Sequence, residues 1–131
     1  MERKLNLSAN FNIAPNQLFN DWLDSQAHSA FTSSPAKIDA LVGGKFTAWD
    51  GYIRGVTMEI VPGKRIVQSW RTTEFPNAAP DSLVELEFEA DGKGTRLMLK
   101  HTLIPDGQAD EYEQGWLDYY FTPMKAYYLD K

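Results

Sequence analysis

The sequence predicts an α+β fold. It comprises a curved antiparallel sheet of about seven strands, two short helices after the first strand, and a long C-terminal helix across the sheet. Three observations carry this. Nearly everything between residues 36 and 104 reads as strand and turn. Residues 114–128 are rich in aromatics that repeat at helical spacing. A terminal helix of that length can bury its apolar stripe only by lying over the sheet, and that arrangement can enclose a cavity.

Each element has its own signature. Over residues 3–13, Leu5, Leu7, Ala9, Phe11 and Ile13 share one side, as in a half-buried strand. Ala14-Pro15 ends it; proline suits the first helical position, where its missing N–H would be unpaired anyway. Leu18, Phe19, Trp22 and Leu23 then mark a short amphipathic helix to about residue 24. A second helical turn is read over 26–31, and Ser33-Ser34-Pro35 breaks the chain. Six strands follow, over 36–41, 45–50, 52–61, 64–73, 82–90 and 95–104. Gly43-Gly44, Asp50-Gly51, Pro62-Gly63 and Asp91-Gly92-Lys93-Gly94 supply the turns. Connections this short make neighbours antiparallel. The last helix spans about 108–129, roughly 33 Å at about 1.5 Å per residue. Tyr112, Trp116, Tyr120, Met124 and Tyr127 form its stripe. Asp110, Glu111 and Glu113 suit the positive end of its dipole, and Pro123 should kink it or loosen a turn.

Alternation then sorts the strands into faces. Val84, Leu86 and Phe88 point inward, against Glu85, Glu87 and Glu89. Leu97, Leu99, His101 and Leu103 form another inner set. Tyr52, Arg54, Val56, Met58 and Ile60 share a face, as do Ile66, Gln68 and Trp70. Arg54, Gln68 and His101 are therefore polar groups on apolar faces, and each needs a partner. Two accounts fit: they converge on a ligand in a wet cavity, or they sit at the rim and bond one another or the backbone. Trp49, Tyr52, Arg54, Met58, Gln68, Trp70, Phe88, His101, Trp116 and Tyr120 are the expected cavity lining. Strict alternation with Phe46 and Ala48 would turn Trp49 outward. For each aromatic the alternative is plain core packing.

Composition narrows the classes. The 131 residues read as one domain, with 43% apolar and 24% charged residues and a net charge of −5. There is no basic stripe of the kind nucleic acid requires. With no cysteine, disulfides and thiolate metal sites are excluded. No stretch resembles a signal peptide or a membrane span, so a cytoplasmic location is expected. His28 and His101 lie on different elements without metal spacing, and nothing pairs His101 with a carboxylate for acid–base work. Val42-Gly43-Gly44-Lys45 fails as a phosphate loop, because Asp39 and Phe46 stand where glycine and Ser or Thr are needed. No cofactor, metal or catalytic residue is expected.

Several motifs together carry a resemblance. They are Leu41-Val42-Gly43-Gly44-Lys45-Phe46, Trp49-Asp50-Gly51-Tyr52-Ile53-Arg54-Gly55, Val61-Pro62-Gly63-Lys64-Arg65-Ile66-Val67-Gln68-Ser69-Trp70-Arg71, Gly115-Trp116, Tyr119-Tyr120-Phe121 and Met124-Lys125. In these, from about Ser8 to Tyr128, the chain resembles the C-terminal domain family of activators of the heat-shock protein 90 ATPase, in the START-like, SRPBCC superfamily. The resemblance implies a helix-grip fold. It implies a cavity of the kind in which superfamily relatives hold apolar small molecules, or a partner chaperone whose ATPase the eukaryotic co-chaperones stimulate. Those co-chaperones carry an additional N-terminal domain important for stimulation. The expected function is non-enzymatic binding of a small apolar or amphipathic ligand between sheet and helix. The alternative is a co-chaperone-like module acting on heat-shock protein 90, with an enzyme such as a cyclase a weaker third.

Overall fold

A computed structural model describes residues 3–129. Its strands are β1 (Arg3–Phe11), β2 (Lys37–Ile38), β3 (Lys45–Ala48), β4 (Ile53–Val61), β5 (Arg65–Thr72), β6 (Ser82–Asp91) and β7 (Gly94–Ile104). They form one seven-stranded antiparallel sheet in the order β1-β7-β6-β5-β4-β3-β2. Helices α1 (Pro15–Leu23) and α2 (Ser25–Thr32) leave β1 and return to β2. The C-terminal helix closes the fold as α3 (Ala109–Gly115), a π-helical stretch (Trp116–Phe121) and α4 (Thr122–Leu129).

Local chemistry explains the helix ends. Pro15 opens α1 and buries Leu18, Phe19, Trp22 and Leu23 against the sheet. Asp24 caps α2, its carboxylate accepting from the Ala27 amide at 2.8 Å. The π-helical stretch stands directly ahead of Pro123, which has no N–H to offer the preceding turn. The Thr122 amide reaches back five residues to the Leu117 carbonyl. This widened turn adds a residue, so the buried stripe runs Tyr112, Trp116, Tyr120, Met124, Tyr128. The expectation at its end, Tyr127, is thereby corrected by one position; Tyr127 is only half-buried.

Two bulges also correct the face assignments. Arg54 and Met58 lie on the outer face, exposed, while Ile53 and Thr57 are buried. Thr57 pairs with Gln68, but Glu59 pairs with Val67, so Met58 is the inserted residue and the strand changes parity there. Apolar residues stand on both sides of β4, so alternation alone had no unique solution. Gly55 sits where β4 and β5 approach closely: a Cβ there would meet the Ser69 carbonyl oxygen at 1.9 Å. In β7 the left-handed Leu103 (φ 62°) flips the pattern, leaving Leu103 exposed and Ile104 buried. The inner sets of β6, and of β7 up to His101, lie as alternation places them.

Candidate functional site

The layer between helix and sheet contains a cavity of about 300 Å³ at the β3–β4 end. Its sheet side is Trp49, Tyr52, Ile53 and Trp70; its helix side is Glu111, Tyr112, Gly115, Trp116, Tyr119 and Tyr120. The β3–β4 turn positions the first of these. Trp49, Asp50 and Gly51 are all left-handed (φ 53°, 56° and 88°), and this swings Trp49 off the strand's alternation. A bulky residue in that region costs on the order of 1 kcal/mol. Trp49 thereby meets Tyr119 edge-on, ring centroids 5.5 Å apart. Among the described residues its Nε1–H has no hydrogen-bond partner.

The inner wall is held from behind. Trp70 and Trp116 lie 5.6 Å apart, and His101 sits against Trp70 at 4.6 Å. The Ser82 hydroxyl donates to the Trp70 carbonyl at 2.7 Å, so Ser82 Oγ accepts from His101 Nε2–H at 2.8 Å. His101 Nδ1 then accepts from Trp116 Nε1–H at 3.1 Å. The imidazole is neutral, and burial lowers its pKa to about 3. His101 braces the wall; neither of its nitrogens meets a carboxylate.

Tyr120 joins the cavity to the closed end of the layer. The Trp22 carbonyl can only accept, so His28 Nδ1 carries the proton (2.9 Å) and Nε2 accepts from the Tyr120 hydroxyl (2.8 Å). Desolvation holds the His28 pKa down near 4, only partly countered by the Trp22 bond. Gln68 is satisfied here as well: its Oε1 accepts from Trp22 Nε1 at 3.2 Å and its Nε2 donates to Thr57 at 3.1 Å. Phe88 packs edge-on against Phe19, centroids 5.6 Å apart.

The cavity rim is acidic. The Tyr52 hydroxyl donates to Glu74, and burial, reinforced by that carboxylate, raises the Tyr52 pKa. The Tyr112 hydroxyl donates to Gln108 at 2.6 Å and bonds Thr72 at 2.7 Å; burial pushes its pKa up to about 12. Desolvation first, and then neighbouring Glu74, raise the Glu111 carboxyl above its ordinary range.

Of the residues expected at the cavity, Trp49, Tyr52, Trp70, Trp116 and Tyr120 line it. Gln68, Phe88 and His101 are buried behind or beside it, while Arg54 and Met58 face outward because of the β4 bulge. Sequence reasoning missed Ile53, Glu111, Tyr112, Gly115 and Tyr119. Tyr112 stands in the helical stripe that periodicity marks, and Glu111 one residue before it carries only the signature of a helix-dipole charge. A second hollow of about 480 Å³ lies on the outer face over β1, β5, β6 and β7. There Arg65 pairs with Glu85 (2.5 Å) and Glu87 (3.1 Å).

An antiparallel sheet gripping a C-terminal helix, with two short helices after the first strand, is the START-like helix-grip architecture. Within it, the chain belongs to the family described as Activator of Hsp90 ATPase homolog 1-like protein, whose model matches residues 12–128. It is 31% identical over 122 residues to the human activator of 90 kDa heat shock protein ATPase homolog 1, covering 93% of this chain and 36% of the relative. A Dictyostelium discoideum activator is 31% identical over 115 residues, with 87% and 30% covered. The chain thus spans about a third of the length of these curated relatives. The solved structure of an Hsp90 activator from Plasmodium falciparum superposes with a TM-score of 0.87 at 26% identity, covering 95% of this chain and 94% of that one. Among the described residues no helix is long and apolar enough to cross a membrane.

Proposed function

We propose that this chain is a co-chaperone-like module that binds a 90 kDa heat-shock protein and modulates its ATPase. The observation that carries this reading is the likeness, over nearly the full length of both chains, to the Plasmodium falciparum activator. In this reading binding acts through the surface, and the buried His28 and His101 serve the fold, each hydrogen-bonded at both ring nitrogens. The test titrates the chain into a purified 90 kDa heat-shock protein while following sedimentation and ATP turnover. Co-sedimentation with a changed turnover rate is expected. A chaperone unaffected in both would overturn the reading.

A second reading has its own observation, the aromatic cavity. In it, a small apolar or amphipathic ligand fills the space between Trp49, Trp70 and Trp116. A ligand that binds only the folded chain raises its unfolding free energy by RT ln(1 + [L]/Kd), and its melting temperature rises with ligand concentration. A panel of neutral, cationic and anionic aromatic and aliphatic compounds that leaves the melting temperature unchanged would overturn this second reading. The first would survive that result.

A further inference from the structure

The cavity's chemistry is more specific than apolar. Trp49, Tyr52, Trp70, Tyr112, Trp116, Tyr119 and Tyr120 put seven aromatic side chains around about 300 Å³. Among the described residues that line it, Glu111 is the one charged group, and no Lys, Arg or His is present. Glu74 stands beside Glu111 and holds the Tyr52 hydroxyl, so the mouth carries two carboxyls. Aromatic rings present negative π faces to a cation, tryptophan most strongly, and enclosed rings are the recurring solution for alkylated ammonium groups.

Three of the four tyrosine hydroxyls of the wall already donate within the protein. Tyr52 donates to Glu74, Tyr112 to Gln108 and Tyr120 to His28. A primary ammonium entering here would give up water for few acceptors, whereas a methylated ammonium has few or no N–H groups to satisfy. A fatty carboxylate would face Glu111 and Glu74 with no cation to meet it. A neutral ligand could at most donate a hydrogen bond to either acid and would gain no charge–charge attraction.

Building on the cavity reading above, we propose that this site takes a small quaternary or trimethylated ammonium group. It sits among Trp49, Trp70, Trp116 and Tyr119, with Glu111 at the mouth as counter-charge.

The experiment uses the full chain and tryptophan fluorescence, since three indoles line the site. The probes are tetramethylammonium chloride, choline chloride and 3,3-dimethylbutan-1-ol, the neutral carbon analogue of choline. The cations are expected to bind with a Kd of about 1 mM or tighter, and the neutral analogue roughly tenfold more weakly. Tyr119→Ala and Glu111→Gln alter exposed side chains, so circular dichroism should be unchanged. The first should weaken choline by roughly tenfold and the second by roughly two- to fivefold. Equal binding of choline and its neutral analogue would overturn the cation assignment while leaving the cavity reading intact. An unchanged choline affinity in Glu111→Gln would overturn the counter-charge. Silence from cations and neutral compounds alike would overturn this proposal and the cavity reading together.

Discussion

The two ends of the layer between helix and sheet are built from the same residue types and behave oppositely. At the closed end, Trp22, His28, Phe31 and Tyr120 pack ring against ring, and each polar atom among Trp22, His28 and Gln68 has a partner inside the protein. At the open end, Trp49, Tyr52 and Tyr119 surround space, one indole N–H is unpaired among the described residues, and two carboxyls crowd the rim. Buried polar residues therefore brace the closed end and the back of the cavity wall rather than facing the open space. What distinguishes the open end is a surplus of aromatic surface that the chain itself does not cover.

Acid should first break the two histidine braces, one at the closed end and one behind the cavity wall. The folded-state pKa values of His28 and His101, about 4 and about 3, lie below the ordinary 6.5. The unfolded chain therefore binds more protons through that interval. The stability these groups contribute is full above about pH 6.5 and is lost as pH falls toward the folded values. Each should contribute a loss on the order of 3 kcal/mol by about pH 4. Urea unfolding at stepped pH checks this. His101→Gln should flatten the slope by about one proton, and an unchanged slope would remove His101 from the account.

Cutting the hub of the closed end comes next. Trp22→Ala removes a fully packed indole and strands the Gln68 carbonyl, so a loss of about 3–5 kcal/mol is expected. Thermal unfolding should fall by on the order of 10 °C. Tyr120→Phe is milder. It leaves His28 Nε2 without its donor while keeping the ring, for a loss of about 1–3 kcal/mol by denaturant titration. Tyr119→Ala at the open end should change stability by less than about 0.5 kcal/mol, because that side chain is 59% exposed. A large loss there would erase the distinction between the two ends. Met58→Ser, outside both, should be near neutral within about 0.5 kcal/mol, with the same titration as the check.

Much of the architecture was legible before any coordinates. The alternation of Val84, Leu86 and Phe88 against three glutamates leaves one register only, and β6 follows it. Pro15 and the spacing of Leu18, Phe19, Trp22 and Leu23 determine α1 in the same way. β4 was illegible because Ile53 and Thr57 on one parity compete with Val56, Met58 and Ile60 on the other. A bulge that lets both parities serve different halves of the strand leaves no local signature in composition. Trp49 was ambiguous for a related reason: its side is set by a left-handed turn, not by strand period.

Periodicity and turn residues alone thus specified the order of elements, the antiparallel pairing and the buried stripe as far as Met124, because those follow from short-range geometry. Tertiary structure decided which polar residues are satisfied and which aromatics are left uncovered. Gln68 finds Trp22 across 46 residues, and His101 finds Trp116 only once the helix lies on the sheet. Glu111 stands beside Glu74 only in the folded chain. Such pairings depend on where bulges and a widened helical turn bring distant segments, and no spacing along the chain encodes that distance.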